Sequence, residues 1–171
     1  NFTEQTISTT ADGAYSVSTA DVDGDGDMDV LSASSNDDTI AWYENDGSEN
    51  FTAHTITTAA NSSPRSIATA DVDGDGDLDV LSASSDDDKI AWYENDGSET
   101  FIAHTITTAA DGAWSVTTAD IDGDDDLDVL SASRGDDKIA WYENDGSENF
   151  PAHTITTSAD GAYSVTTADV D

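Results

Sequence analysis

A chain of 171 residues with 38 acidic side chains against 4 basic ones carries a net charge of −34, which repels nucleic acid and anionic membrane surfaces, so neither is an expected partner. There is no cysteine, which removes disulfide and thiol chemistry, and no apolar run long enough to span a bilayer. No signal peptide precedes Asn1, as expected of a mature secreted protein or a piece of one.

The acid can be read in two ways, as a diffuse solvated surface or as clusters that hold cations. The spacing favours clusters. The string "ADVDGDGD" or a close relative begins at Ala20, Ala70 and Ala119 and is cut short at Ala168, so that Asp21, Asp71, Asp120 and Asp169 follow one another at 50, 49 and 49 residues. Phe2, Phe51, Phe101 and Phe150 keep the same register, as do Trp42, Trp92 and Trp141. A period of roughly 40–50 residues points to a propeller blade or a helical solenoid unit. Helix is excluded by the local chemistry: each unit is rich in Thr, Ser, Val and Ile, is broken by Asp-Gly turns, and has no 3.6-residue apolar stripe.

Four short strands are expected in the first unit. Strand A, Ser16–Val22, has small and β-branched residues throughout, and strand B, Asp29–Ser34, reads "DVLSAS". Strand C, Thr39–Glu44, carries Trp42 and Tyr43, which are expected to pack between neighbouring units. Strand D, Phe51–Thr57, places His54 and Ile56 opposite Phe51, Ala53 and Thr55. His54, His104 and His153 recur here beside hydroxyls only and read as strand-face residues. The fold class is therefore all-β, a β-propeller of four-stranded antiparallel blades whose small-residue first strand lies innermost. Residues 1–13 hold the outer strand of a preceding blade, 14–60, 61–110 and 111–159 are three complete blades, and 160–171 open a further one. Propellers close with about four to eight blades, so the chain is expected to be part of a longer array or to self-associate.

Between strands A and B lie "DVDGDGDMD" (21–29), "DVDGDGDLD" (71–79) and "DIDGDDDLD" (120–128). Calcium takes about six to eight oxygens from carboxylates and carbonyls. Aspartates at loop positions 1, 3 and 5 can converge if the chain turns sharply, glycines at 4 and 6 permit that turn, and position 9 closes the shell. An EF-hand is excluded, because no glutamate stands at position 12 and no helix flanks the loop. A solvated acidic turn is the bland alternative, but five or six carboxylates within nine residues repel one another without a cation. The third loop has Asp125 where the others have a position-6 glycine, so a weaker site is expected there. The fourth stops after Asp169 and Asp171 and is incomplete.

Through "TADVDGDGDLDVLSAS" and its copies, essentially the whole chain resembles the FG-GAP/VCBS repeats of bacterial secreted proteins and of the integrin α-subunit propeller. The resemblance implies calcium in the loop between the first two strands of each blade, with side-chain oxygens from positions 1, 3, 5 and 9 and a carbonyl from position 7. Here those positions are Asp21, Asp23, Asp25, Asp29 and the carbonyl of Asp27; then Asp71, Asp73, Asp75, Asp79 and Asp77; then Asp120, Asp122, Asp124, Asp128 and Asp126. Serine in "LSAS", where integrin repeats carry "GAP", places the chain nearer the bacterial branch.

In such an array the A–B and C–D turns share one end of the sheets, and the B–C and D–A turns share the other. The copies differ mostly at the second end, where Tyr15, Arg65, Trp114 and Tyr163 are equivalent and Arg134 stands in a B–C turn. Aromatic faces beside Arg, Asp and Asn suit a sugar, and drift in unconstrained loops is the other reading. "NFT" at Asn1 and Asn50 and "NSS" at Asn61 match glycosylation acceptors. The function expected is a secreted or cell-surface, calcium-dependent module for adhesion or for binding a glycan or protein. The alternative is a structural repeat assembling edge to edge into a layer or fibre. An enzyme is not expected, since no nucleophile–base pair or acid pair stands outside the loops.

Overall fold

The computed structural model describes residues 3–58 and 62–170. Phe2 of the repeat register, the glycosylation motifs at Asn1 and Asn61, and Asp171 of the fourth loop lie outside the described residues. The described chain forms twelve strands and no helix. The first sheet is β1 (Ala14–Ala20), β2 (Asp29–Ser34), β3 (Thr39–Asn45) and β4 (Phe51–Thr57). The second is β5 (Pro64–Ala70), β6 (Asp79–Ser84), β7 (Lys89–Asn95) and β8 (Phe101–Thr107). The third is β9 (Ala113–Ala119), β10 (Asp128–Ser133), β11 (Lys138–Tyr142) and β12 (Ala152–Thr156). Each sheet is an antiparallel meander in chain order. The three sheets do not close into a ring.

Strands B and D have the bounds expected from sequence. Strand A runs Ala14–Ala20 instead of Ser16–Val22, because the Val22 N–H leaves the ladder and donates to the Asp29 carboxylate at 2.8 Å. The flanking segments 3–13 and 162–170 were expected to be strands and carry no ladder. In every sheet strand A pairs with strand B and strand D with strand C, and neither flank has that neighbour in this chain.

The first strands of the three sheets, β1, β5 and β9, lie side by side. A serine in each accepts a backbone N–H from the next: Ile67 donates to Ser16 Oγ, Val116 to Ser66 Oγ and Val165 to Ser115 Oγ. Small side chains in strand A are thus required by close approach, and serine satisfies an N–H that the ladder leaves open.

The core consists of two inter-sheet layers. Leu31, Ile40 and Trp42 of the first sheet meet Ile67, Val80 and Tyr93 of the second. Leu81, Ile90 and Trp92 of the second meet Val116, Val129 and Tyr142 of the third. Strand B, buried on both faces in its middle, therefore reads as a continuous run and not as clean alternation. Its inward serine is matched to a tyrosine: Ser32 shares a hydrogen bond with Tyr43, Ser82 with Tyr93 and Ser131 with Tyr142. Trp42 and Trp92 are core residues, as expected; Trp141, on the uncovered face of the third sheet, is only half-buried.

Candidate metal centre

Each A–B loop turns on left-handed residues at positions 4 and 6. Gly24 and Gly26 have φ of +75° and +94°, and Asp125 reaches +76° at the position where the other loops use glycine. A β-carbon on Gly26 or Gly76 would meet open space, so Asp125 pays in backbone conformation and not in collision.

The turn folds the loop onto its own carboxylates. Asp21 accepts from the Gly26 N–H at 3.0 Å, and Asp23 accepts from the Asp25 N–H at 3.1 Å. Asp71 holds the N–H groups of Gly74 and Gly76, and Asp120 those of Gly123 and Asp125. Position 9 is the anchor. Asp29, Asp79 and Asp128 are fully buried, and each takes one N–H from loop position 2 and one from the end of strand C. The donors from strand C are Asn45, Asn95 and Asn144. A buried carboxylate held by two N–H groups fixes where the loop returns to the sheet.

The result is a trio of carboxylates in each loop. Asp21, Asp23 and Asp29 bring ligand oxygens within 4.8 Å of one another, as do Asp71, Asp73 and Asp79, and Asp120, Asp122 and Asp128. Asp25, Asp75 and Asp124 stand outside the trios, each accepting from the N–H two residues on, of Asp27, Asp77 and Asp126. The side chains of Asp27, Asp77 and Asp126 lie against the C–D turn at Gly47, Gly97 and Gly146, which leaves no room for a β-carbon there. The A–B and C–D turns thus share one end of the sheets.

These trios fit a divalent cation. Asp21 Oδ1 is buried with no hydrogen-bond donor. Burial lifts the carboxyl of Asp79 from 3.8 to about 6, against the pull of the Asn95 and Val72 amides. Burial also raises Asp23, Asp73 and Asp122, and neighbouring carboxylates add to it, among them Glu44, Glu94 and Glu143. Negative charge is concentrated at each trio beyond what the protein's own donors neutralise. Hard oxygens on a flexible loop are a donor set suited to calcium.

The sequence reading missed what stands behind each trio. His54 donates to Glu44 at 2.8 Å, His104 to Glu94 at 2.7 Å and His153 to Glu143 at 2.7 Å. Each histidine also stacks on the tryptophan opposite it, at 4.5 Å between ring centroids. The expectation of hydroxyl neighbours only is corrected: the partner comes from strand C across the hairpin. Strand periodicity carried the signal, because Trp42 and Glu44 share a face and pair with His54 and Thr52.

At the opposite end, B–C and D–A turns are tied by Ser35 to Gly13 and by Arg134 to Gly112. The five residues singled out there come together. Arg65 lies over the rings of Tyr15 and Trp114 at 4.8 and 5.0 Å, and Arg134 over Trp114 and Tyr163 at 5.3 and 5.1 Å.

Sheets built from one recurring unit, each opening on a nine-residue aspartate loop, define an all-β repeat protein with a metal-type loop per complete unit. The chain belongs to the FG-GAP-like repeat family, whose model matches residues 1–32, 21–82, 71–131 and 120–171. No curated protein matches it. Among solved structures it is similar to the V. cholerae biofilm matrix protein Bap1, at 21% identity and a TM-score of 0.44 over 88% of this chain. The match spans 30% of the Bap1 chain. Among the described residues no helix is long and apolar enough to cross a membrane.

Proposed function

We propose that the chain is a calcium-loaded, propeller-type repeat module of a secreted or cell-surface protein, serving adhesion or the binding of a glycan or protein and not catalysis. The observation that carries this reading is the threefold recurrence of a carboxylate trio built around a fully buried position-9 aspartate. Asp21, Asp23 and Asp29 and their counterparts would hold the ion, which supplies fixed positive charge that pins each A–B loop to strand B. Three of the four expected side-chain ligands are converged, and the fourth, at position 5, lies in the same loop with its carboxylate on the position-7 N–H.

Calorimetric titration with calcium tests this. Three equivalents, with dissociation constants in the ~10⁻⁴–10⁻³ M range of extracellular modules, are expected. EDTA should lower the melting temperature substantially, since an ion bound only by the native state stabilises it. No heat of binding together with an unchanged melting curve would sink the proposal.

A second reading, structural assembly, is favoured by a specific observation. Val17 is 69% exposed, whereas its equivalents Ile67 and Val116 are 6% and 5% exposed beneath a preceding sheet. At the other end Ile121 is 41% exposed against 4% and 3% for Val22 and Val72. The uncovered surfaces are sheet faces, so this observation supports face-to-face association beside the edge-to-edge route. Sedimentation across a concentration series separates the readings: a strictly monomeric particle removes this one.

A further inference from the structure

The chain has four basic residues, and they divide cleanly. Both lysines are neutralised: Lys89 pairs with Asp87 at 2.9 Å and Lys138 with Asp136 at 2.7 Å. Neither arginine pairs with any carboxylate among the described residues, in a protein with 38 of them. Instead the two arginines alternate with three aromatic rings contributed by different repeat units, in the order Tyr15, Arg65, Trp114, Arg134, Tyr163. The rings meet edge to face, at 5.7 Å for Tyr15 and Trp114 and 5.0 Å for Trp114 and Tyr163.

We propose that this stack is a binding site for a glycan bearing a single carboxylate on a neutral chain, such as a uronic acid branch. The proposal rests on the ligand-binding reading above and names the ligand class. A guanidinium lying on a ring keeps its in-plane N–H fork free, and that fork matches a carboxylate. Arg65 is oriented by its Nε bond to Ser85 Oγ at 3.1 Å, and the exposed Arg134 guanidinium makes no hydrogen bond among the described residues. Beside them opens a cleft of about 490 Å³ that includes Trp114 and Asp86. Asp86 is occupied by the hydroxyls of Ser63 and Ser85, and it can also accept from sugar hydroxyls. Tyr15 and Tyr163, each about half exposed at 50% and 52%, offer flat faces at either end of the stack.

The same charge balance sets the ligand's charge density. Two free guanidiniums favour one anionic group locally, and the surrounding acid opposes a polyanion whose charges run on past the arginines. At physiological salt, remote carboxylates beyond about 8 Å are largely screened, so the near pair of arginines governs a short acidic sugar.

The test uses the full chain with calcium present. The probes are a xylo-oligosaccharide carrying one glucuronic acid branch, its methyl-esterified form, and heparin as a dense polyanion. Preference for the free acid over the ester is expected, with Arg134→Gln and Arg65→Gln each weakening acid binding by about tenfold or more and ester binding less, so that the acid–ester preference shrinks. Equal binding of acid and ester, binding unaffected by both substitutions, preference for heparin, or no binding of the acid probe each overturns the proposal. The acid–ester comparison needs no variant, so a misfolded mutant cannot mask the answer. Calcium titration of the same samples separates the failures: three calcium equivalents with no acid preference remove this inference alone, and loss of calcium binding removes the function it rests on.

Discussion

The side-chain amide of Asn95 donates to the backbone carbonyl of Val22, 73 residues earlier, at 3.1 Å and in full burial. Asn144 does the same to Val72 at 2.9 Å. Each asparagine also gives its backbone N–H to the position-9 aspartate of its own loop and its amide to a carbonyl of that loop. One residue at the end of strand C thus fastens two successive loops together. The loops are physically a chain of neighbours, and their separation in sequence conceals it.

Replacement of Asn95 by alanine leaves the Val22 carbonyl buried without its donor, at a cost of about 1–3 kcal/mol. The Asn45 side chain donates to the Met28 carbonyl of its own loop and accepts from the Gly47 N–H, both in an exposed setting, and has no cross-loop partner among the described residues, so Asn45→Ala is expected to cost less, about 0.5–1 kcal/mol. Urea unfolding of the two variants gives the comparison directly. Calcium titration of Asn95→Ala should show weakened binding at two sites and not one. Equal midpoints for the two variants would deny the cross-loop role.

Protons and calcium should compete for the same carboxylates. The folded metal-free protein holds the Asp79 carboxyl up at about 6, against 3.8 for a free side chain, and Asp23, Asp73 and Asp122 are raised as well. Between those two values the folded state keeps a proton that the unfolded chain has released. Stability therefore falls as pH climbs from about 4 to 6 and levels off above. Calcium requires these carboxylates ionised, so the loaded protein should gain stability over the same interval. Melting curves from pH 4 to 7, in EDTA and in excess calcium, should lie close together near pH 4 and separate as pH rises, with the calcium curve above. Parallel curves would mean that the trios do not bind the ion.

Much of this was legible in the sequence, for reasons that particular residues make clear. Strand B keeps its expected bounds because Asp29 is both the loop's last carboxylate and the strand's first residue, and burial of that group fixes the boundary. The left-handed turn at Asp125 followed from glycine in the sister loops. What sequence could not give was register between strands and contact between units. The Glu44–His54 pair needs the C–D register, and the gathering of Tyr15, Arg65 and Trp114 needs the first strands of three sheets side by side. Position 5 of the loops was assigned by spacing and by the family resemblance, and the Asp25 carboxylate accepts the Asp27 N–H and stands outside the trio.

Near-identical units do not share identical burial, and their tryptophans should report it. Trp92 is sealed between the second and third sheets with Phe150 against its ring at 6.2 Å, whereas Trp141 faces a side with no following sheet. Trp92→Ala should cost about 3–5 kcal/mol through the cavity it leaves. Trp141→Ala should cost markedly less, and Trp141 should be quenched by acrylamide more readily than Trp42 or Trp92. If oligomers form through that face, quenching of Trp141 falls as concentration rises, which links this measurement to the assembly reading.

The third loop offers a gain instead of a loss. Asp125 holds φ at +76°, a conformation that costs a non-glycine residue about 1–2 kcal/mol, and its charge adds to a loop already carrying five other aspartates. Asp125→Gly removes both burdens. Its β-carbon position is open in the sister loops, so no contact is lost. Glycine's greater freedom in the unfolded chain returns about 0.5–1 kcal/mol of the benefit. The net expectation is a rise of up to about 1 kcal/mol in stability in EDTA. In calcium the increase should be larger, because the relieved loop binds its ion more tightly. Calorimetry should show the weakest of the three sites moving toward the other two. A variant with unchanged third-site affinity would show that the loop tolerates aspartate at position 6 without penalty, and that backbone conformation there does not govern ion binding.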